Sequence, residues 1–588
     1  MKPLSFLFIV IWIFLGASPL LGTDEEKSPF FTDVAGETGL ASHAGLRVAF
    51  ADLNNDGFLD CVLRTHDSGL FLNQHGLRFE PAAEASNLDG PDGEGGKRPT
   101  ALMIFGDVDD DGDLDAFSGI FCDFLKPGFE GDRSFRNAIL LNNGKGVFSM
   151  NSESGVDAHP ATICAATFLD YDHDGRLDLF VGNQYKQYPE IPAYQDRLYR
   201  GTGQGRFEEV TQKAGLATID EPGHRNSSKP AFGAGHCDFN NDGYQDLLVC
   251  VYGRQWNFLW KNLGNGSFVD VAEATGFDGD EIRHGKYSDE VKKYFLDRYG
   301  EAREDEKPFR SNGNTFSVAC ADYDCDGDMD LFLGEITHGW AGESSDRSSL
   351  LINKGEAEGF AFERKPDAVS RTHADSGKWN QGDLHVGWID FDNDGRQDLL
   401  IASGDYPDGQ YLRLFRQQED HRFQDITDAC GFDWEGSGGL SIGDYDRDGD
   451  QDILVGKSWM RLRKERCIGE FAAPALFRNN VGNRNHWITI QLRGKGPGGS
   501  NGFGIGARVS IEAGGKVQIR EIQGGCGHNG QFDPPEAHFG LGNLETIDRI
   551  SVRWPNQELT LQRFEKVKAD RLIRIAEEGG FEEVKFPR

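Results

Sequence analysis

Three observations predict an all-β chain: a seven-bladed β-propeller followed by a small all-β C-terminal domain. A nine-residue pattern, Asp-x-(Asp/Asn)-x-Asp-Gly-x-x-Asp, begins at Asp52, Asp107, Asp170, Asp238, Asp322, Asp390 and Asp444. Short apolar runs of strand length flank these copies. The chain also holds 76 glycines and 42 phenylalanines, a pairing suited to tight turns and aromatic packing between sheets. Successive copies start 55, 63, 68, 84, 68 and 54 residues apart, which fits four-stranded blades joined by loops of variable length.

At the N-terminus, Lys2 precedes an apolar stretch from Leu4 to Leu15, and small residues follow at Gly16, Ala17, Ser18 and Gly22. This is the pattern of a secretory signal over residues 1–22, with a membrane anchor as the competing reading. No later stretch reaches the ~18 apolar residues that a span needs. The mature chain is therefore expected to be secreted or extracellular, in the periplasm or at the cell surface if its source is bacterial. A formal net charge of −35 disfavours nucleic acid and anionic membrane as partners. The ten cysteines show no framework spacing. Cys164, Cys237, Cys250 and Cys320 lie in apolar runs and read as small buried hydrophobes.

Each loop has the chemistry of a hard-cation site. Calcium takes six to eight oxygens, and alternate positions of a tightly turned loop can aim oxygens at one point. Positions 1, 3, 5 and 9 supply Asp52, Asn54, Asp56 and Asp60 in the first copy, then Asp107, Asp109, Asp111 and Asp115, then Asp170, Asp172, Asp174 and Asp178. The fourth and fifth copies supply Asp238, Asn240, Asp242 and Asp246, and Asp322, Asp324, Asp326 and Asp330. The sixth and seventh supply Asp390, Asp392, Asp394 and Asp398, and Asp444, Asp446, Asp448 and Asp452. Position 7 is Phe58, Asp113, Arg176, Tyr244, Asp328, Arg396 or Asp450, so varied that its backbone carbonyl is the expected ligand, as in the EF-hand. Glycine at position 6 permits the bend. The EF-hand's glutamate at position 12 and flanking helices are missing. Asp-Gly turns also punctuate hairpins without metal; what favours metal is four spaced donors repeated seven times. Up to seven structural calcium ions are expected, which would bring the net charge from −35 to −21.

Each loop opens into a strand, as in Cys61-Val62-Leu63 or Leu247-Leu248-Val249. A second motif follows, such as Leu140-Leu141-Asn142-Asn143 or Leu259-Trp260-Lys261-Asn262, and then an aromatic strand such as Gly266-Ser267-Phe268-Val269-Asp270-Val271. The seventh repeat lacks that last strand. Phe30-Phe31-Thr32-Asp33-Val34-Ala35 supplies it from the other end of the chain, so residues 30–40 are expected to complete the last blade and remove an open edge. Between the fourth and fifth loops, Val291, Tyr294, Phe295, Arg298 and Tyr299 fall at helical spacing and predict an inserted surface helix.

These loops and the Asn-Asn-Gly…Phe strands resemble the FG-GAP/VCBS repeats of integrin α-subunits and many bacterial exported proteins, over residues 30–482. The resemblance implies a propeller with calcium in inter-strand loops. Residues 485–576 resemble the ASPIC/UnbV domain of the cartilage acidic protein family, through His486-Trp487, Gly504-Ile505-Gly506-Ala507-Arg508-Val509, Arg520-Glu521, Gly524-Gly525, His538-Phe539-Gly540-Leu541-Gly542 and Val552-Arg553-Trp554-Pro555. Residues 577–588 would then be a tail.

Hydrolase elbows, zinc-protease helices and phosphate loops are absent. The sequence favours a calcium-rigidified extracellular binding, adhesion or scaffold protein that presents the loop-rich face to a protein or glycan. The alternative is an extracellular polysaccharide hydrolase or lyase with its site in the propeller channel. His236, His373 and His385 read first as packed or solvated histidines, with lining of that channel as the competing reading, in which Arg98, Lys229, Arg310 and Lys378 would form a basic rim.

Overall fold

A computed structural model describes residues 28–65, 68–83, 86–88, 100–120, 136–159, 162–187, 190–371, 381–404, 411–458 and 473–586. The signal read over residues 1–22 lies outside these residues, as do Arg98, His373, Lys378, Cys122 and Cys467. Among the described residues no helix is long and apolar enough to cross a membrane.

The chain is nearly all β. Each repeat forms a four-stranded antiparallel meander, because a buried strand, the Asp loop and a second buried strand make one hairpin. In the second repeat the strands are Thr100–Gly106, Asp115–Ile120, Ala138–Asn142 and Phe148–Met150. In the fourth they are Ala231–Cys237, Asp246–Val251, Phe258–Asn262 and Phe268–Asp270. The described residues hold seven such meanders; the fifth and sixth are joined edgewise where Ile336 meets Gly382.

Sheet seven takes its fourth strand from the N-terminus, as the sequence requires. Phe31–Asp33 pairs with Ala475–Asn479, with Phe31 opposite Asn479 and Asp33 opposite Phe477. Successive sheets pack face to face around apolar clusters. Phe180 and Leu198 meet Leu247 and Trp260 between sheets three and four, and Leu400 and Leu414 meet Ile453 and Phe477 between sheets six and seven. The last sheet packs on the first through Tyr445, Leu454 and Leu476 against Phe50, Cys61 and Phe71.

The inserted helix is Asp289–Tyr299, capped by the Ser288 hydroxyl, which accepts from the Val291 amide. None of its residues is buried. Cys164, Cys237 and Cys250 are buried free thiols and Cys320 is half-buried.

The C-terminal part is a pair of four-stranded sheets. One contains His486–Arg493, Glu536–Gly542, Arg571–Ala576 and Phe581–Glu583. The other contains Arg508–Ala513, Lys516–Glu521, Thr546–Arg553 and Leu561–Lys568. Phe581–Glu583, within the segment expected to be a tail, is thus an edge strand, and Phe586 packs on Phe58 with ring centroids 5.1 Å apart.

Candidate metal centres

All seven loops share one hydrogen-bond pattern. The position-1 carboxylate accepts from the amide of the position-6 glycine at 2.9–3.4 Å. Those glycines have φ from 85° to 100°, a region where a side chain would be strained. The position-5 carboxylate accepts from the position-7 amide at 2.9–3.3 Å. This bond ties down the main chain of Phe58, Asp113, Arg176, Tyr244, Asp328, Arg396 and Asp450, whose carbonyls are the expected ligands. The position-9 carboxylate accepts at 2.7–2.8 Å from the amide of the residue opposite on the third strand: Asn73, Asn142, Gly201, Asn262, Asn353, Gln417 or Asn479.

One oxygen from each of positions 1, 3 and 9 converges within 4.8 Å in five loops: Asp107, Asp109 and Asp115; Asp170, Asp172 and Asp178; Asp322, Asp324 and Asp330; Asp390, Asp392 and Asp398; and Asp444, Asp446 and Asp452. In all five, Oδ1 of the position-3 aspartate is buried and has no hydrogen-bond partner. Where position 3 is Asn54 or Asn240, the orphaned oxygen is instead Oδ1 of Asp52 or Asp238. A buried carboxylate oxygen without a donor is costly, and a hard cation supplies what is missing. Burial and the neighbouring acids Asp110, Asp111 and Asp109 push Asp107 up to about 7. Burial, then Asp394 and Asp392, push Asp390 to about 8. Among the position-5 residues, Asp174 and Asp394 also pair with Arg200 and Arg416.

Position 4 went unremarked in the sequence, and it links the loops. Asn55, Asp110, His173, Asn241, Cys325, Asn393 and Arg447 all have positive φ, between 53° and 67°. Five of these side chains reach the next loop. Asn55 donates to Asp113, and Asn241 donates to Asp328 at 2.6 Å. His173 stacks on Tyr244 at 4.5 Å, Asn393 donates to the Gly449 carbonyl at 3.0 Å, and Arg447 donates to the Gly57 carbonyl at 2.8 Å, joining the last loop to the first. The enrichment in Asn, Asp and His was the available signal, because these residues tolerate the left-handed region.

Residues 486–586 dock on the loop face, although Asn55, Asp111, Asn241, Asp242 and Asp326 stay exposed. Arg508 donates to the Asp238 carbonyl at 2.8 Å, and Arg553 pairs with the Asp238 carboxylate. The Gly540 amide bonds Asp390 Oδ2 at 3.2 Å, and the Gly498 amide bonds the Asp174 carbonyl at 3.0 Å. Arg447 and Glu536 form a two-pronged ion pair, both contacts 2.8 Å.

The segment Gly524–Asp533 reaches the first strand of every sheet. Ala49 bridges Phe532, whose ring also packs on Phe105 at 5.2 Å. Thr167 Oγ1 donates to the Gly525 carbonyl at 2.7 Å, and Gly527–His528 pairs as a strand with Gly233 and Ala234. His528 meets Phe316 at 4.7 Å, Gln531 donates to the Val386 carbonyl at 3.0 Å, and Ser441 Oγ donates to the Phe532 carbonyl at 2.6 Å. The segment thus enters the channel expected along the axis, and a cavity of about 150 Å³ remains beside it, lined by Val318, Val386, Ile442, Arg520, Asp533 and Glu536. His236 Nε2 accepts from the Gly524 amide at 3.0 Å, and His385 lies 5.7 Å from the His528 ring. Both are packed, and burial lowers His385 to about 3. The basic rim does not assemble from the described residues. Lys229 is buried, its Nζ donating to the Arg225 carbonyl and lying 3.5 Å from the Phe258 ring centre. Arg310 lies in a turn whose carbonyl accepts from Arg254.

The family descriptions "FG-GAP-like repeat" and "ASPIC and UnbV" match residues 107–181 and 390–455, and residues 496–581, respectively. The chain carries both. Curated relatives include cartilage acidic protein 1 of Xenopus tropicalis and of Homo sapiens, each 26% identical over 336 residues. The match covers 54% of this chain but 41% and 40% of those relatives, so the chain matches well under half of their length. Similar solved structures include a lectin of Agrocybe aegerita that recognises terminal N-acetylglucosamine (TM-score 0.39, 16% identity, 70% of this chain and 88% of that one). Another is Saccharomyces cerevisiae Sqt1 (TM-score 0.37, 10% identity, 77% and 98%).

Proposed function

We propose that this chain is a secreted, calcium-loaded seven-bladed propeller, with blades within residues 30–482 and an ASPIC/UnbV domain at 485–576, that serves as an extracellular binding or scaffold protein. The repeats and the cartilage acidic protein relatives fit a binding or scaffold role outside the cell. The observation that carries the metal half is the buried, unpartnered carboxylate oxygen found in every loop. Calcium there would be held by positions 1, 3 and 9 with the position-7 carbonyl, would neutralise the clustered carboxylates, and would fix each hairpin. Its role is structural.

The exposed parts of the loop face, the opposite face and the outer edges of the blades are the surfaces left for a protein or glycan partner. Metal content by mass spectrometry on purified protein, paired with melting with and without chelator, tests the reading. Several calcium ions per chain and a melting point lowered markedly by chelator are expected. Little calcium and an unchanged melt would overturn the metal half.

A further inference from the structure

At the end of the fifth sheet opposite its Asp loop, a second set of buried polar groups lacks partners. Glu335, near the end of the strand Asp330–Thr337, is wholly buried; Oε1 accepts from Thr315 Oγ1 at 2.7 Å, while Oε2 has no partner. Asp346 is 3% exposed; Oδ2 accepts from the Asp280 amide at 3.0 Å, while Oδ1 has no partner. Asn312 is also wholly buried, and both its amide atoms are unpartnered.

Local packing puts the three together. A methyl group on Gly313 would run into Glu335 Oε2, and one on Gly279 would run into Asn312 Oδ1. Gly279 adjoins Asp280, whose amide holds Asp346. The Arg364 guanidinium acts on both carboxylates but bonds neither: one nitrogen donates to the Gly276 and Phe277 carbonyls at 3.3 and 3.4 Å, and Nε and Nη1 are buried without partners.

Two interacting buried carboxylates with no hydrogen-bonded cation are strongly disfavoured. Protonation gives only partial relief, since a neutral Glu335 would still leave the Asp346 oxygen and the Asn312 amide unsatisfied. Three oxygen donors from two carboxylates and an amide make the donor set of a hard cation, with no nitrogen or sulfur ligand for a softer one. We infer that Glu335, Asp346 and Asn312 hold a hard, oxygen-seeking cation, calcium by preference, at a site separate from the seven loops. Held there, the ion ties the strand carrying Glu335 to the turns around Asn312 and Asp346 and so braces the uncovered face.

The test is the calcium count of the full chain by native mass spectrometry after dialysis against calcium. Glu335→Gln should hold one ion fewer than wild type, and Asp172→Asn in the third loop should lose its own ion independently, so the double variant loses both. Should the loops carry no calcium, wild type is still expected to hold one ion and Glu335→Gln none, which separates this site from the loop reading. Asn312→Leu, neutral for neutral, gives the same one-ion loss if the charge change at 335 prevents folding. An unchanged count in both variants would mean ordered water only and would overturn the proposal.

Discussion

Glu536→Ala should loosen the C-terminal domain from the ring by a predictable amount. Glu536 receives both Nη atoms of Arg447 at 2.8 Å and Gln491 Nε2 at 2.8 Å. The Arg447 side chain is 2% exposed, and its Nε is already committed to the Gly57 carbonyl. Burial opposes ionisation of Glu536, but Arg447 outweighs it and holds the carboxyl below its ordinary range. Removing the acid strands a buried guanidinium, which costs about 3–5 kcal/mol. At about 1.4 kcal/mol per tenfold, undocking becomes ~100- to 3,000-fold more frequent.

Hydrogen–deuterium exchange reads this directly. The Gly524 amide bonds His236 at 3.0 Å and the Asn529 amide bonds the Cys164 carbonyl at 2.7 Å. Both bonds exist only in the docked state. Their exchange should accelerate by at least ~100-fold in Glu536→Ala. Arg447→Met with Glu536→Leu should recover much of the protection, since an apolar pair leaves no charge stranded. Equal exchange in wild type and Glu536→Ala would refute the idea that this pair latches the two parts together.

Two further outcomes follow from the loops. In chelator, Asp107 and Asp446 at about 7 and Asp390 at about 8 lie above their unfolded values near 3.9. The stability they contribute is therefore greatest below the unfolded pKa and is lost as pH rises through about 7–8. Melting in chelator should fall between pH 5.5 and 8.5, while in calcium it should rise, because the ion must displace those protons; parallel slopes would show that metal and proton do not compete. Asn142→Leu removes the bonds that its side-chain amide makes to the Leu53 and Leu114 carbonyls at 2.9 and 3.1 Å. Two buried acceptors lose their donor, so denaturant unfolding should show about 2–4 kcal/mol of lost stability; a loss under about 0.5 kcal/mol would mean that water takes its place.

What the sequence made legible was local or repeated. Strand–loop–strand hairpins, the position-6 glycines and the missing strand of the seventh repeat all follow from short-range pattern, and repetition raised the signal of each. The asparagine that ends the third strand in five of the seven sheets was visible as a motif, but not its reason: Asn73, Asn142, Asn262, Asn353 and Asn479 each staple their own sheet to the preceding loop. The docking of residues 486–586 was not legible, because contacts such as Arg508 with Asp238 join residues 270 apart and leave no period. The filling of the axis by Cys526-Gly527-His528-Asn529 was equally hidden, since much of that contact is made by backbone groups that any residue carries. The Glu335 cluster escaped because its members come from separate turns and form no spacing.

The pairing of Phe31 with Asn479 also sets a clock. The strand around Phe31 is made before its partner, which is completed nearly 450 residues later. At about 5–20 residues per second, the early strand must wait ~20–90 s for its seat. Throughout that interval the growing array carries a loose strand at one end and, once sheet seven forms, an unfilled edge at the other. Two nascent chains side by side could exchange these ends and close as an interlocked pair. A compartment that meters chains out singly, and meets each with enough calcium to set the early hairpins, would keep every chain bound to its own beginning.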